Sequence, residues 1–515
     1  MKAFSSQGIV AGTIINAGSR TLARILRLFL LVIISLKFGA GYEADAYFIA
    51  QSIVLLFLFL GESVLNFSFI PVFAGYRKTE REDEAWSLAN TTFTIVGICL
   101  LVVSFALFVF APYVAKALAP GFSEEALSLT TLFIRIASPV PLFAGLSSVP
   151  AAIFNAYRSF IVPAITALFY GAGSVIFALL LTDELGIMAI LTGSVAGIGL
   201  QAFVLILILK KKRRQFALSV NIEPGAKEVL KLTGPRLTAF TLGRVNLMID
   251  RIFASGLGIG YVSCLTYAYR IFQLPSAILV TAFAKTLMPV LSEHAASGHK
   301  EEIGKLVSRG LGFVAFVTIP IAIILFMFRI PMIRFLFQRG AFDAEATHLT
   351  STVFLFYDVG LVAFCFNIIL LGVFYALKDA VIPLRIAVVS AILNVMLDVI
   401  LIRWFGLGGI ALATSLIAVF NTVFLLILLQ KKIGCLDIYS TLASLLKISL
   451  AAGVMAFVVW SITSNFDKVF GLENHIVKLG TILTTSLVTY AVACVLLRVN
   501  ELTELVTIFR RRLSL

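Results

Sequence analysis

The sequence predicts an all-α polytopic membrane protein with about fourteen transmembrane helices: two six-helix bundles in a parallel pseudo-twofold repeat, plus two C-terminal helices. Hydrophobic residues make up 60% of the 515 residues, charged residues make up only 13%, and the mean hydropathy is +1.03. This composition excludes an ordinary soluble domain. The apolar segments, the charges between them and an internal repeat together predict the architecture.

Apolar segments of the ~20 residues needed to cross a bilayer recur along the whole chain. We number them spans 1 to 14. The polar joints between them are too short to hold a soluble domain. The start of the chain lacks the cleavage site of a signal peptide, so we expect span 1 to be retained. Pro139, Pro141 and Pro150 predict a kink in span 4. The spans cover residues 9–37, 45–73, 86–117, 127–155, 160–182, 186–209, 229–257, 263–291, 309–337, 346–376, 380–404, 408–430, 443–464 and 475–498.

The net charge of +14 indicates a membrane topology. Joints after even-numbered spans carry most of the lysine and arginine residues, as in the basic run at 210–214, whereas joints after odd-numbered spans are acidic or sparsely charged. The positive-inside rule then places both termini in the cytoplasm. The basic run lacks interleaved aromatic residues, so we expect no nucleic-acid partner. Five scattered cysteines predict neither a disulfide framework nor a zinc site.

Three short segments recur in chain order at nearly one spacing, which indicates an internal repeat. The repeat unit holds six spans, an even number, so both copies enter the membrane in the same direction, as in transporters built from parallel repeats. We expect an N-terminal bundle at 1–220, a C-terminal bundle at 221–435, and two added helices with a basic cytoplasmic tail at 436–515. The matching residues are Pro71 with Pro289, Pro163 with Pro383, and Thr192 with Thr414, at spacings of 218, 220 and 222.

Spans 7 and 8 carry ionisable residues where lipid would otherwise surround them: Arg244, Asp250, Arg251, Arg270 and Lys285. A charged side chain near the bilayer centre costs at least ~2.5–3.5 kcal/mol. Taken as a set, these residues predict a polar cavity. The alternative for each one is a snorkelling or ion-paired structural charge.

Span 1 carries a polar stripe, because Asn16, Arg20, Arg24 and Arg27 follow the spacing of one helical face. With Arg270 of span 8 these arginines predict a cationic substrate-binding chamber. Guanidinium groups hold phosphate oxygens through paired hydrogen bonds and stay charged at physiological pH, so a diphosphate is a natural ligand. The alternative places Arg20 at the cytoplasmic rim and pairs Arg27 with an acid.

Asp250 of span 7, Asn394 and Asp398 of span 11 and Thr414 of span 12 form a second candidate site. Asn394 and Asp398 are one helical turn apart and share a face. Two carboxylates, an amide oxygen and a hydroxyl suit a small hard cation, and a bare acid pair would otherwise hold a proton. The alternative is a hydrogen-bonded packing cluster. Glu62 and Asp45 of span 2 are weaker candidates for pairing with the span 1 arginines.

Several stretches resemble the MurJ lipid II flippases of the multidrug/oligosaccharidyl-lipid/polysaccharide exporter superfamily. They are FGAGYEADAYFIA, ESVLNFSFIPVF, RVNLMIDRIFAS, VSCLTYAYRIFQLP, RFLFQRGAF, GVFYALKDAVIP and ILNVMLD. The resemblance implies an essential cavity arginine at Arg270 and a lipid-tail groove formed by the two C-terminal helices. It also implies a sodium site at Asp250, Asn394, Asp398 and Thr414, completed by the carbonyl of Ile410.

The chain departs from this family at positions that matter for charge. An ungapped comparison sets the family's Arg-Asp pair of span 1 on Leu30 and Leu31, and the acid one turn after the span 8 arginine is Gln273. The resemblance therefore implies a less cationic cavity, for which Arg20 and Arg27 could compensate.

These observations predict a monomeric flippase of the cytoplasmic (inner) membrane that moves a polyprenyl-diphosphate-linked saccharide to the outer leaflet by alternating access. Lipid II, the peptidoglycan precursor, is the leading cargo, and another undecaprenyl-linked oligosaccharide is the alternative. A cation-coupled multidrug exporter is the alternative from another class. We expect no enzyme activity, because no nucleophile–base pair appears. We also expect no cofactor beyond Na⁺ or H⁺ as a coupling ion.

Overall fold

The computed structural model describes residues 9–212, 216–219, 224–470 and 475–503. Over these ranges the chain is helical apart from short joints, and it has no β-strand. A π-helical turn at Ser276–Val280 joins the eleventh and twelfth α-helices. The α-helices are α1 (Ile9–Phe38), α2 (Tyr42–Lys78), α3 (Glu82–Val109), α4 (Ala111–Leu118), α5 (Glu124–Ala137), α6 (Val140–Ala156), α7 (Ile161–Thr166), α8 (Phe169–Leu185), α9 (Met188–Lys212), α10 (Pro224–Ser255), α11 (Tyr261–Pro275), α12 (Thr281–Ala296), α13 (Lys300–Phe337), α14 (Ala344–Asp358), α15 (Leu361–Ala376), α16 (Val381–Phe405), α17 (Leu407–Ile433), α18 (Ile438–Phe470) and α19 (His475–Leu496).

Each predicted span coincides with one helix or with consecutive helices, so the all-α membrane fold is confirmed. Helices suit this composition because they satisfy their backbone hydrogen bonds internally, which the hydrocarbon core of a bilayer requires. Within the described ranges, nine helical segments are long and apolar enough to cross a membrane, and the bent pair α14 and α15 makes a tenth. The count of fourteen remains a prediction.

Among the described residues, four spans divide into two α-helices at a break of one or two residues, and span 9 contains one non-helical residue, Phe328 (φ −104°, ψ 16°), inside α13. Span 4 breaks at Ser138 and Pro139, where the prolines predicted a kink. Spans 3 and 5 break at Phe110 and at 167–168, and span 10 breaks at 359–360. We did not predict these last three interruptions from the sequence, although Pro112 stands in the first turn of α4, directly after Phe110.

Side-chain caps fix where several helices begin. The Ser123 hydroxyl oxygen accepts a hydrogen bond from the backbone N–H of Ala126 at 3.3 Å, and Asp343 Oδ1 accepts one from Ala346 at 2.8 Å. Asp379 Oδ1 caps the start of α16 in the same manner. Each cap satisfies N–H groups that have no partner within the helix.

The internal repeat has counterparts in the backbone. Arg158 and Lys378, 220 residues apart, both adopt left-handed conformations, with φ of 56° and 57°. Each is followed by a residue whose N–H donates back to the carbonyl five residues earlier, at 2.9 Å in both copies. This is a Schellman-type helix end, for which a non-glycine residue costs about 1–2 kcal/mol. The same strained ending therefore occurs at equivalent positions of both copies.

Gly186 and Gly406 are also 220 residues apart and share left-handed φ values of 58° and 54°. This spacing corrects one of the sequence matches. With an offset of 220, Thr414 corresponds to Ser194 rather than to Thr192, because the helix that carries each residue begins after the matching glycine.

Contacts divide the chain into two compact units. Unit 1 comprises residues 1–266 and 336–347, and unit 2 comprises residues 267–335 and 348–515. The division at 220 and 435 from the sequence repeat is of a different kind and remains a prediction.

Unit 1 is built on α2, which packs against α5, α6 and α10. Helices α8 and α9 meet at backbone distance: a Cβ at Gly193 would lie 2.4 Å from the carbonyl oxygen of Gly173, and one at Gly197 would lie 2.1 Å from that of Phe169. Small residues four apart allow this approach between membrane helices. An aromatic core with Phe73 and Trp86 fills the space between α2, α3 and α6.

In unit 2, α17 packs against α15 and α16, and α18 packs against α19. Polar side chains join α15 to α17: the Asn367 amide donates to the carbonyl of Ala418 at 3.0 Å, and the Thr422 hydroxyl donates to Asn367 Oδ1 at 3.1 Å. Such bonds satisfy polar groups that lipid cannot solvate.

Candidate functional site

The arginines of α1 form one charged stripe. Arg24 is half-buried, while Arg20 and Arg27 are exposed and flank it. The three charges lie close enough for both neighbours to act electrostatically on Arg24. Arg27 Nε also donates to the backbone carbonyl of Ala23 at 3.1 Å. Like charges one turn apart on a helix repel one another, so an anion bound along the stripe would relieve this repulsion.

The deeper part of α1 is apolar. Leu30 and Leu31, where the family resemblance places an Arg-Asp pair, are both buried. On another face, Leu26 lies within ordinary contact distance, 3.5 Å, of a Cβ placed at Gly171 in α8. The arginine stripe therefore ends at Arg27, and α1 carries no further charge until Lys37 in its last turn. Asn16 lies on the helix, but its side chain falls outside the described residues.

The charges of spans 7 and 8 have different surroundings. Arg251 Nη1 donates to the carbonyl of Phe48 at 2.8 Å and to the hydroxyl of Ser52, which ties α10 to α2 inside unit 1. Arg270 of α11 is half-buried and Lys285 of α12 is exposed, while the side chain of Arg244 lies outside the described residues. Arg251 is thus a structural charge, whereas Arg270 remains a candidate for substrate binding.

Asp45 has partners that the sequence did not suggest. It is buried, its Oδ2 accepts from the N–H of Gly260 at 2.6 Å, and its Oδ1 accepts from the N–H and the hydroxyl of Ser263 at 2.7 and 2.5 Å. The carboxylate thus caps the first turn of α11 from α2. A negative charge is favourable at this end of a helix dipole. The residue weighed as a partner for the span 1 arginines instead joins two helices of unit 1.

The joint glycines of unit 1 reinforce this contact. A Cβ at Gly39 would lie 2.2 Å from the carbonyl oxygen of Ala341, one at Gly121 would lie 2.3 Å from Cα of Gly256, and one at Gly260 would lie 2.1 Å from the carbonyl oxygen of Ala40. All of these joints follow odd-numbered spans. We call this set, with Asp45 and Ser263, the glycine closure. It seals one end of unit 1 at backbone distance.

Of the candidate cation residues of unit 2, Asn394, Asp398 and Ile410 are buried and Thr414 is half-buried. Asn394 Nδ2 donates to Asp398 Oδ2 at 3.0 Å, so the carbonyl oxygen of the amide is directed away from that carboxylate. The Thr414 hydroxyl donates to the carbonyl of Ile410 at 3.3 Å. Asp250, 3% exposed, belongs to unit 1. Carboxylate, amide, carbonyl and hydroxyl oxygens suit a hard cation such as Na⁺.

The repeat offers a direct comparison for two of these residues. With an offset of 220, Asn394 and Thr414 correspond to Ser174 and Ser194, whose hydroxyl oxygens lie 2.7 Å apart between α8 and α9. The equivalent pair in the first copy is therefore in contact. We expect the amide of Asn394 and the hydroxyl of Thr414 to face each other between α16 and α17 for the same reason.

Glu62 lies on α2, but its side chain falls outside the described residues. In the part of the chain that the structure describes, no group of three or more His, Cys, Asp or Glu side chains could hold a metal ion. The candidate cation set therefore differs from a zinc-type centre, since most of its oxygens are uncharged.

A family model described as "Lipid II flippase MurJ" matches residues 34–479. The chain belongs to the MurJ lipid II flippase family. The chain is similar in sequence to proteins of this family. A probable lipid II flippase MurJ of Buchnera aphidicola subsp. Schizaphis graminum is 29% identical to it over 97% of this chain and 99% of that protein. The lipid II flippase MurJ of Burkholderia cenocepacia is 28% identical over 81% of this chain and 83% of its own.

Solved structures show the same fold. The structure titled "Lipid II flippase MurJ, inward closed conformation" matches with a TM-score of 0.81 and 24% identity, over 94% of this chain and 99% of that one. An inward-facing multidrug resistance MATE transporter matches with a TM-score of 0.70 and 13% identity, over 82% of this chain and 98% of that one. These likenesses establish the MurJ and MATE-type architecture. The roles of individual residues rest on the site geometry described above.

Proposed function

We propose that this protein is a flippase that moves lipid II from the inner to the outer leaflet of the cytoplasmic membrane by alternating access. The arginine stripe of α1 carries the proposal. Three guanidinium groups on one face of a membrane helix match a diphosphate, which is doubly charged and rich in hydrogen-bond acceptors. Family membership supports the same cargo. The basic joints after even-numbered spans support termini that both lie in the cytoplasm.

Alternating access requires that a seal at one side can form and break. The glycine closure is a suitable seal, because its contacts are specific and few. Opening it costs the three hydrogen bonds to Asp45, each of which is charge-assisted and contributes roughly 1.5–3 kcal/mol when buried. A substrate opens it only by binding the open state more tightly than the closed state. Cargo held at the arginine stripe would provide that difference in affinity.

We also propose that a cation held in unit 2 by Asn394, Asp398, Thr414 and the carbonyl of Ile410 biases this equilibrium. When bound, the ion would supply positive charge that offsets the Asp398 carboxylate. A sodium ion at a hundredfold excess over its dissociation constant stabilises the folded protein by about 2.7 kcal/mol. Thermal stability in detergent should then rise with NaCl but not with equal KCl. The variant Asp398→Asn should lose this sodium dependence, and a sodium effect retained in that variant would exclude the site.

Transport tests the arginine stripe directly. Arg24→Ala should reduce lipid II translocation more than Arg20→Ala, because Arg24 is half-buried and is flanked by charge on both sides. Arg270→Ala should abolish translocation while the protein still inserts. Arg329→Ala is the matched control, since Arg329 Nη1 bonds the carbonyl of Phe326 within its own helix. Loss of activity in the control, or equal tolerance of Arg20→Ala and Arg24→Ala, would contradict a stripe that binds substrate.

The identity of the glycan needs its own test, because Leu30, Leu31 and Gln273 stand where the family carries charged residues. The purified protein should bind lipid II more tightly than an undecaprenyl-diphosphate oligosaccharide of unrelated sugar sequence. Tighter binding of the second lipid would keep the flippase proposal and change its cargo.

A further inference from the structure

The break in span 10 is built by a close helix contact. Helix α14 ends at Asp358, α15 begins at Leu361, and their axes differ by 47°. A Cβ at Gly360 would lie 2.6 Å from both Cα and Oγ of Ser415 in α17. The Ser415 hydroxyl lies 2.6 Å from the carbonyl oxygen of Phe356 and 3.1 Å from that of Tyr357. It therefore satisfies carbonyl groups that the break would otherwise leave without donors.

Asp358 stands at this break in an apolar setting. The residue is 5% exposed, and within the described ranges its Oδ1 is buried with no hydrogen-bond partner. It occupies the last turn of α14, where the helix dipole disfavours negative charge. An ionised carboxylate buried without donors costs several kcal/mol, so such a group is neutralised.

The neighbours of Asp358 supply no compensating charge. The ring of Tyr357 stacks on Phe272 and lies beside Tyr269, with 5.4 Å between ring centroids in each pair. The phenol groups of Tyr357 and Tyr269 and the hydroxyl of Ser415 are uncharged. None of the described residues forms a hydrogen bond with Asp358 Oδ1.

The first copy of the repeat shows that the bend does not require a carboxyl group. The residue 220 positions earlier is Ser138, at the equivalent break between α5 and α6. Its hydroxyl donates to the carbonyl of Arg135 at 2.8 Å, so it is satisfied within its own helix. A neutral, self-satisfied residue therefore suffices at this backbone position. The carboxyl group of Asp358 is an addition that the fold itself does not explain.

We propose that Asp358 is a proton-binding site, held as a neutral carboxylic acid at the break between α14 and α15. When the break opens to water, the O–H bond transfers its proton to a water molecule and leaves a carboxylate that water can solvate. A metal cation suits this place less well, because it gathers several oxygen ligands. The carbonyl groups of Phe356 and Tyr357 already accept from Ser415. A proton needs only one carboxyl oxygen.

Infrared spectroscopy of the full-length protein in lipid nanodiscs at neutral pH tests this site without any transport assay, so failure here would leave the proposed flippase function standing. The wild type should show the C=O stretching band of a neutral carboxylic acid, shifted in D₂O. Asp358→Asn and Asp358→Ser should each remove one acid group per chain from this band. The serine variant supplies the residue that the other copy uses at the equivalent break, so we expect it to fold.

Two controls make the result decisive. Asp379→Asn removes a carboxylate bonded to Lys432 at a joint and should leave the acid band unchanged. NaCl should affect the part of the band that Asp358→Asn removes no more than KCl does. An acid band of equal intensity in the wild type and both Asp358 variants would overturn the proposal, and so would loss of the Asp358-dependent part of the band in sodium alone. If neither variant folds, absence of a neutral-acid band in wild-type protein carrying ¹³C-labelled aspartate carboxyl groups would overturn it as well.

Discussion

Replacing Asp45 by alanine should destabilise the protein strongly, because it removes every bond of the carboxylate that joins α2 to α11. Two buried N–H groups, those of Gly260 and Ser263, lose their acceptor. Each buried donor left without a partner costs about 1–3 kcal/mol, so the two together cost about 2–6 kcal/mol. The Ser263 hydroxyl can rotate towards another acceptor and adds little. Ser263→Ala alone, which removes only the charge-assisted O–H bond, should cost about 1.5–3 kcal/mol.

The measurement is the unfolding free energy in mixed micelles, followed by circular dichroism as the denaturing detergent increases. Asp437→Ala serves as the control: this exposed aspartate caps α18 by accepting from Ser440 N at 3.0 Å. Loss of an exposed cap costs about 0.5–2 kcal/mol, so the buried cap at Asp45 should cost more.

A double-mutant cycle checks that Asp45 and Ser263 act together. The loss caused by Ser263→Ala should largely disappear when Asp45 is already alanine, with a coupling energy of about 0.5–3 kcal/mol. Strict additivity of the two changes, or an Asp45→Ala protein as stable as the Asp437→Ala control, would refute the idea that this carboxylate holds the closure.

Two further predictions concern packing and charge. Gly197→Ala should lower the unfolding free energy by about 1–3 kcal/mol, because its Cβ would lie 2.1 Å from a carbonyl oxygen. Gly453→Ala is the control: no atom lies within 4 Å of its Cβ, so it should be neutral or slightly stabilising. Thermal denaturation measures both variants, and equal effects would contradict the close contact at Gly197. The side-chain hydrogen bond from Lys432 holds the pKa of Asp379 below its ordinary value, so this residue stabilises the fold above pH ~3.9 and less as pH falls further. Asp379→Asn removes the charge but keeps the helix cap, so its melting temperature should differ little from that of the wild type at pH 7, and the difference should vanish in acid. A difference that grows in acid would refute the lowered pKa of Asp379.

The helices were predictable because the bilayer imposes a simple rule on composition. A segment of ~20 apolar residues must be helical to satisfy its backbone, whatever surrounds it. The interruptions at Phe110 and at 359–360 were not predictable in this way. At 359–360 the break is built by the approach of Ser415 to Gly360, a contact between residues far apart in the sequence. At Phe110 the sequence does carry a local signal, because Pro112 lies in the first turn of α4.

In the candidate site too, features within one segment were predictable from the sequence, and contacts between distant residues were not. The stripe of Arg20, Arg24 and Arg27 follows from helical spacing within a single segment, and the structure places a half-buried Arg24 between two exposed arginines on α1. The bonds of Asp45 join residues 215 and 218 apart, so their spacing predicted nothing. One sequence signal could have identified them: an acid at the start of a span, together with a glycine-rich turn that leaves helix N–H groups free.

Comparing equivalent positions of the two repeat copies distinguishes side chains that the fold requires from side chains that function requires. Equivalent positions have equivalent backbones, so a difference in side chain between them is not dictated by helix geometry. The first copy places serine at 138, 174 and 194, and the second places aspartate, asparagine and threonine at 358, 394 and 414. Asp398 stands where the first copy has Ala178. The second copy thus concentrates oxygen ligands and acids, while the arginine stripe lies on α1 of the first. Our proposal therefore assigns anion binding and cation binding to different copies of one architecture, as expected if each ligand acts by favouring one state of a shared conformational equilibrium.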